Sequence, residues 1–363
     1  MTRITRRDCL QGMAAVAAAS TSKAATTNPA RKPVAGQPGI QLAEILIPGQ
    51  TDRYRLLKQV GVNHAIATVN GVLGKVPKSQ YRDSLAKIQA EFKAAGLTIA
   101  GVESHPVGAE KIKLGIDGRD EELENYIAAI QALAELGIDM VCYNWMAGIG
   151  WYRTKSNFPE RGGALSSEFD YRDAEKQGPT KWGEVPEEKI WANMEYFQKA
   201  VMPVAQKARV KMALHPDDPP VSPLRGIGRI LTSAANYRRV MNIVPCAVNG
   251  VTFCQANFMA MGEDSEAVAK EWLREKKIFF VHFRDIEGTR EHFRETFHDN
   301  GPHDMARMLA VYHEFGFRGP MRPDHAPTLE GESNDNPGYA MMGKILAFGY
   351  MKGLMEAQKI PYA

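Results

Sequence analysis

Short apolar runs alternate with amphipathic stretches along most of the chain. The runs are rich in β-branched and aromatic residues and predict eight strands, at 41–47, 63–69, 98–103, 139–143, 211–215, 249–254, 278–283 and 319–323. Between them, apolar residues recur every three or four positions, which is typical of helices that bury one face. Segments with this period include 81–95, 120–136, 187–208, 267–275 and 304–315. The pattern predicts strands that alternate with helices.

This alternation favours one fold over its nearest competitor. Gly96, Gly137 and Gly316 each follow a predicted helix, where a left-handed residue commonly ends it. Strands separated by helices form βαβ units with a parallel sheet, and eight such units indicate a closed (β/α)8 barrel, the TIM barrel. A doubly wound sheet is the alternative, but no G-x-G-x-x-G follows the first strand, which weakens a dinucleotide-binding interpretation.

One connection is longer than a barrel loop requires. Residues 145–185 follow the fourth predicted strand and are rich in Gly, Ser, Arg and aromatic residues. Insertions of this size after a strand usually cover an active site, because barrels place their chemistry at the carboxyl ends of the strands. We therefore expect a single α/β barrel domain with a lid-like insertion after strand 4.

The first 37 residues have a different character. Arg6-Arg7 and Leu10 precede the weakly apolar, alanine-rich stretch 12–19, a layout that resembles a twin-arginine export signal. Cys9 stands where that class usually has Phe. Residues 20–37 are rich in Thr, Ser, Ala and Pro and are interpreted as a linker. We expect an exported, periplasmic location and a barrel domain at 38–363; a basic tail in a cytoplasmic protein is the alternative.

The composition of the chain limits the classes of binding partner that we expect. The chain of 363 residues carries 45 basic and 42 acidic residues, a formal net charge of +3, which gives no electrostatic reason to expect nucleic acid. No apolar run approaches the roughly 20 residues that span a bilayer, so no membrane span is expected. Four scattered cysteines do not form a disulfide framework. A small molecule is the expected partner, and a homo-oligomer remains open.

Four predicted strand ends carry residues that bind metals. The carboxyl ends of four successive strands carry ligand residues: His215 and Cys254 end their strands, His282 is the penultimate residue of the next, and Asp324 directly follows the last. If these strands are neighbours in the barrel, the four side chains converge above it. A mixed N, S and O set suits Mn²⁺, Fe²⁺, Co²⁺ or Zn²⁺ better than Mg²⁺ or Ca²⁺, which prefer oxygen alone.

Each of these residues also has an ordinary structural explanation. A lone cysteine on an apolar strand is usually an inert core residue. His282, between Val281 and Phe283, has the setting of a hydrogen-bonded core histidine. The four positions together favour a metal site, because a chance arrangement of four ligand types at four strand ends is much rarer than any one of them.

The same residues stand in motifs that resemble the mannonate dehydratases. The matching segments, in order, are Val102-Glu-Ser104, Val141-Cys-Tyr-Asn144, Arg153-Thr154, His215-Pro-Asp-Asp-Pro-Pro220, Thr252-Phe-Cys254, Val281-His-Phe-Arg284, Met321-Arg-Pro-Asp-His325 and Asn336-Pro-Gly-Tyr339. The resemblance covers roughly residues 41–357 and implies a (β/α)8 barrel that uses a divalent metal, most often Mn²⁺, to dehydrate D-mannonate to 2-keto-3-deoxy-D-gluconate. It places the metal ligands on the four residues above and the acid/base residues on His325 and Tyr339.

Dehydration of a sugar acid also needs groups that hold the substrate. Arg284, Arg153 and Arg322 are candidates for binding its carboxylate, because a guanidinium fork matches two oxygens. Arg322 is equally well explained as part of a structural ion pair. Asn144, at the end of the fourth strand, is a further substrate-binding candidate.

The chain also departs from the family pattern. Gly150 stands where an Asp usually precedes the tryptophan, and Gln255-Ala256 replaces a small Gly-Ser pair after the cysteine. We expect both changes to contact substrate. Two other functions remain open: a barrel metalloenzyme acting as a sugar isomerase, epimerase or lyase on a related exported carbohydrate, and a non-catalytic sugar-binding protein. The second would not need His325 and Tyr339.

Overall fold

The computed structural model of the chain describes residues 35–363, so the predicted export signal and most of the predicted linker lie outside the described residues. Twelve strands occur in the described part: β1 (Ala35–Leu46), β2 (His64–Ala67), β3 (Thr98–Glu103), β4 (Met140–Asn144), β5 (Lys155–Pro159), β6 (Leu165–Asp170), β7 (Lys211–His215), β8 (Asn249–Cys254), β9 (Ile278–Phe283), β10 (Ile286–Thr289), β11 (His292–Glu295) and β12 (Pro320–Pro323). Eight of them close into a parallel barrel in the order β1-β12-β9-β8-β7-β4-β3-β2. The predicted (β/α)8 fold is confirmed.

Helices connect the barrel strands and pack around them. They are α1 (Thr51–Gln59), α2 (Asn70–Leu73), α3 (Tyr81–Ala94), α4 (Glu110–Leu114), α5 (Arg119–Glu135), α6 (Tyr171–Glu175), α7 (Glu187–Ala208), α8 (Ala234–Ile243), α9 (Gln255–Ala260), α10 (Ser265–Arg274), α11 (Met305–Glu314) and α12 (Met341–Gln358). The main core lies between this layer and the outer face of the barrel. No helix of the described part is long and apolar enough to cross a membrane.

The predicted elements agree closely with the observed ones. Strands β3, β7, β8 and β9 have the predicted bounds, as does α7. Gly96, Gly137 and Gly316 all have the left-handed backbone expected of them, with φ of 74°, 72° and 73°. β1 begins at Ala35, inside the segment predicted as linker.

The insertion after β4 forms part of a second sheet. Its strands β5 and β6 pair with β10 and β11 in the antiparallel order β10-β11-β6-β5, with Asp170 opposite His292. None of these four strands was predicted. β5 and β6 lie in the segment interpreted as a lid, and β10 and β11 have only four residues each, with charged residues that hide the apolar alternation of a strand. The insertion after β4 and the insertion after β9, which carries β10 and β11, are far apart in the sequence, but together they form one antiparallel sheet.

Candidate active site

The four predicted metal ligands meet at the carboxyl end of the barrel. β7, β8, β9 and β12 are neighbours in the closed sheet, so His215, Cys254, His282 and Asp324 come from adjacent strands. One ligand atom from each lies within 4.8 Å of every other. All four residues are buried, between 0% and 9% exposed. Sequence reasoning placed this cluster correctly, because parallel strands carry their final residues to the same end of the barrel.

The geometry of the cluster suits a first-row divalent ion. His215 Nδ1 lies 2.8 Å from the carbonyl oxygen of Pro216, which fixes the proton on Nδ1 and leaves the Nε2 lone pair free. Nε2 lies 3.1 Å from His282 Nδ1, which in turn lies 3.4 Å from Asp324 Oδ2. Cys254 Sγ is 3.7 Å from the same oxygen. Ligands about 2.0–2.3 Å from an ion lie roughly 3–4 Å from one another, so these residues could hold such an ion.

Burial sets the protonation states of the ligands. It raises the pKa of the Cys254 thiol well above its usual range. Burial, together with the nearby ring of His282, lowers the pKa of His215 to about 3, which keeps that imidazole neutral. Burial alone would raise the pKa of Asp324, but the neighbouring histidines and arginines hold it well below its usual value. A neutral imidazole and a carboxylate are the forms that bind metals.

His325 and Tyr339 form a hydrogen-bonded pair beside the cluster. The Tyr339 hydroxyl lies 3.2 Å from His325 Nε2, and the two rings meet edge to face at 5.3 Å. Burial lowers the pKa of His325 and raises that of Tyr339, so the imidazole is neutral and the phenol protonated at neutral pH. Trp151, from the insertion after β4, covers the His325 ring at 4.8 Å. The structure therefore brings together the two residues predicted for acid/base chemistry.

Two arginines and two carboxylates form a closed ring of alternating charges next to His325. Arg153 contacts Asp218 at 2.6 Å and Glu295 at 2.5 Å, while Arg284 contacts the same carboxylates at 3.0 and 3.4 Å. All four side chains are at most 2% exposed. Two members also reach the other nitrogen of His325: its Nδ1 lies 3.1 Å from Glu295 Oε1 and 2.5 Å from Arg284 Nη1. The ring fixes the position of the imidazole.

The predicted arginines are thus bound to the protein's own carboxylates. Arg322 makes a bidentate pair with Glu103, at 2.8 and 3.1 Å, and also contacts Asp324. A cavity of about 80 Å³ lies over the ligand cluster, and Arg322 and Asn144 contribute to its wall. Arg153 and Arg284 are not among the residues that line it. Two of the four predicted substrate-binding residues therefore face the cavity.

Asn144 is held in one orientation. Its Oδ1 accepts hydrogen bonds from Lys113 Nζ at 3.1 Å and from the backbone N–H of Met146 at 3.2 Å. Both partners are donors only, so the amide NH2 must be the group left for other contacts. Lys113 is buried, and burial lowers its pKa to about 8. Asn144 can offer the cavity a hydrogen-bond donor.

Several residues of the site were not predicted as functional. Trp151 and Glu103 line the cavity, and Glu295 reaches His325 from the antiparallel sheet. The expectation that Gln255 and Ala256 contact substrate is wrong. Gln255 lies on α9, fully buried, and its amide contacts Tyr312 and Met305 in the core, while Ala256 packs beneath the antiparallel sheet.

Comparison with protein families adds independent information. The family model of D-mannonate dehydratase (UxuA) matches residues 50–183 and 176–362. A mannonate dehydratase of Streptococcus uberis is 34% identical over 303 residues, covering 76% of this chain and 86% of its own. Mannonate dehydratase 2 of Halalkalibacterium halodurans is 34% identical over 342 residues, covering 85% and 97%.

Comparison with solved structures agrees with the sequence comparison. The crystal structure of mannonate dehydratase from Streptococcus suis is similar with a TM-score of 0.81 and 30% identity, covering 89% of this chain and 97% of that one. A xylose isomerase domain protein from Planctomyces limnophilus reaches a TM-score of 0.56 at 12% identity. A likeness at that identity shows the shared barrel alone and carries no argument for an isomerase.

Proposed function

The chain belongs to the D-mannonate dehydratase (UxuA) family and is a sugar-acid hydro-lyase, and on that premise we propose that it converts D-mannonate to 2-keto-3-deoxy-D-gluconate and water. The observation that carries the proposal is the contact between His325 and Tyr339, 3.2 Å apart, in the wall of the cavity that is also lined by three of the four proposed ligands. A protein that only binds a sugar acid would need neither the His325–Tyr339 pair nor the charged residues that hold His325 in place.

We assign His215, Cys254, His282 and Asp324 as ligands of a divalent ion, with Mn²⁺ as the first candidate and Fe²⁺ or Co²⁺ as alternatives. The N, S and O donors and their separations of 3.1–3.7 Å support this. Such an ion, when bound, stabilises negative charge that develops at the carboxylate end of the substrate. All four side chains are buried, and one ligand atom of each lies within 4.8 Å of every other.

The two proton-transfer roles follow from the pKa shifts. His325 is neutral. In the tautomer that donates Nδ1–H to Glu295, rather than the one that accepts from Arg284 Nη1, its Nε2 can accept the proton from C2 of the substrate. Tyr339 keeps its proton at neutral pH and can give it to the departing C3 hydroxyl. The 3.2 Å contact lets the proton pass back from His325 to Tyr339 after each turnover. Trp151 lies against the His325 ring and lines the same cavity.

Substrate contacts are assigned by what each candidate already binds. The side-chain NH2 of Asn144 remains available as a donor, and Asn144 lines the cavity. It is therefore proposed to bind a substrate hydroxyl or carboxylate oxygen. Arg153 and Arg284 are proposed to act through Glu295 and His325 rather than by direct contact.

The proposal is tested by product analysis. The protein, loaded with Mn²⁺, is incubated with a panel of aldonic acids, and 2-keto-3-deoxy acids are measured. D-Mannonate should react, and deuterium at C2 should slow turnover, because the C2–H bond breaks. Metal-stripped protein and His325→Asn are the controls. A ketose or an epimerised acid as product, or no reaction with any aldonic acid, would contradict the proposal.

We also propose that the protein is exported. The support is the paired Arg6-Arg7 before a short apolar stretch. Replacing both arginines with lysine should retain the protein in the cytoplasm, and cell fractionation of the two forms measures this. Equal cytoplasmic retention of the unaltered chain would show that the segment is no signal.

A further inference from the structure

The ring of His282 can offer either nitrogen to a metal ion, and the surrounding residues select one. Its Nδ1 faces the other ligand atoms, 3.1 Å from His215 Nε2 and 3.4 Å from Asp324 Oδ2. If Nδ1 binds through its lone pair, the ring proton has to sit on Nε2. Nε2 is buried and has no hydrogen-bond partner among the described residues. A buried N–H without an acceptor costs about 1–3 kcal/mol, so a nearby acceptor matters.

A carboxylate stands next to that nitrogen. Glu103, at the end of β3, has its Oε1 3.5 Å from His282 Nε2. Arg322 fixes this carboxylate from the other side through two contacts, Nη2 to Oε1 at 2.8 Å and Nε to Oε2 at 3.1 Å. The same guanidinium places Nη1 2.8 Å from Asp324 Oδ1, whereas Oδ2 is the oxygen near His282 Nδ1 and Cys254 Sγ. One ion pair therefore touches the outer atoms of two proposed ligands.

We infer that Glu103, held by Arg322, is a positioning residue for metal binding. Its carboxylate accepts the Nε2 proton of His282 and so directs the Nδ1 lone pair at the ion. Arg322 also contacts Asp324, at Oδ1, while Oδ2 lies on the side of His282 Nδ1 and is contacted by Arg284 Nη1 at 3.1 Å. The inference rests on the proposed function, because it takes His282 and Asp324 as ligands. It also changes the role assigned to Arg322, from a candidate for binding the substrate carboxylate to a residue that supports the metal site.

A single amide substitution tests this assignment. In Glu103→Gln, the donors of Arg322 take the amide oxygen, and the NH2 group turns toward His282. That group is a donor, so it favours the tautomer with the proton on Nδ1, which withdraws the lone pair from the ion. Loss of such an outer partner typically costs about 10–100-fold in metal affinity. We expect the Kd for Mn²⁺, measured by chelator competition, to rise by that factor.

A matched control is available on another strand of the barrel. Glu44 on β1 is buried like Glu103, at 1% against 7% exposed, and pairs with Lys344 at 2.9 Å, but it touches none of the ligands. Glu44→Gln should leave the Kd for Mn²⁺ within about twofold of the unaltered protein, although both variants lose one buried ion pair. Near-ultraviolet circular dichroism verifies that each variant is folded.

The outcomes separate the possible roles of Glu103. An unchanged Kd for Mn²⁺ in Glu103→Gln, with an altered KM at saturating Mn²⁺, would make Glu103 a substrate contact and overturn the inference. Failure of the unaltered protein to bind Mn²⁺ would refute the metal site itself. If Glu103→Gln does not fold, ¹⁵N NMR of the histidines in the Zn²⁺-loaded, unaltered protein decides. A His282 proton on Nε2 supports the inference, and one on Nδ1 overturns it.

Discussion

The Tyr339 hydroxyl is the most informative atom to remove. Tyr339→Phe deletes one oxygen whose hydrogen-bond partner is His325 Nε2, at 3.2 Å. The ring keeps its edge-to-face contact with His325 at 5.3 Å, so packing should survive. Loss of one neutral hydrogen bond costs about 0.5–1.5 kcal/mol of folding stability, which a domain of this size tolerates.

The expected effect on catalysis is larger than the effect on stability. A group that transfers a proton in the transition state contributes roughly 10²–10⁴-fold to the rate. At about 1.36 kcal/mol for each factor of ten, this corresponds to roughly 2.7–5.4 kcal/mol of activation free energy. We therefore expect kcat for dehydration of D-mannonate to fall by that factor, while the Kd for Mn²⁺ is unchanged. Both are measured on the same preparation.

Tyr126→Phe is the matched control for this change. Tyr126 donates to, or accepts from, His105 Nδ1 at the same distance of 3.2 Å, but it does not line the cavity. It should lose a similar amount of stability and keep its turnover. If Tyr339→Phe turns over within about threefold of the unaltered protein, or if both variants lose turnover equally, the tyrosine is not the acid proposed here.

Three further predictions concern the ligands, the amide and acid stability. Cys254→Ala should lose bound metal while it stays folded; stoichiometric metal by elemental analysis would remove cysteine from the ligand set. Lys113→Met removes one of the two donors that orient the Asn144 amide, so KM should rise, by up to about tenfold, with no change in metal affinity; an unchanged KM would contradict the proposed contact. Burial lowers the pKa of His298 to about 4 from its ordinary 6.5, so the folded state excludes a proton that the unfolded chain binds. Stability is then present above pH 6.5 and lost as the pH falls toward 4. In His298→Phe, the slope of the unfolding free energy over this range should decrease by about 1.4 kcal/mol per pH unit, and an unchanged slope would exclude His298 as its source.

The sequence predicted the barrel and the ligand cluster for the same physical reason. A buried parallel strand shows itself as an apolar run, and its last residue marks the catalytic end of the barrel. His215, Cys254 and His282 could therefore be placed without any structure. His325 and Tyr339 came from motif resemblance, and their contact depends on the turn before Tyr339 bringing the hydroxyl back over the barrel.

The roles of the charged residues could not be predicted in the same way. Sequence identifies an arginine but not the carboxylate that neutralises it, and Arg153, Arg284 and Arg322 all pair with protein carboxylates. Glu295 was missed because it lies on a four-residue strand with charged neighbours. Glu103 was visible at a strand end, but its proximity to His282 results from the barrel closure between distant strands.

The closed ring of four charges constrains how the protein could have evolved. Arg153 belongs to the insertion after β4, and Glu295 to the insertion after β9 that carries β10 and β11. Asp218 and Arg284 lie within three residues of the ends of the barrel strands β7 and β9. Loss of either insertion alone would leave a buried charge uncompensated, at a cost of about 3–5 kcal/mol. Loss of both would leave the Asp218–Arg284 pair, 3.0 Å apart, still neutral as a unit. The two insertions should therefore be inherited together, present or missing as a set in any lineage that shares this barrel.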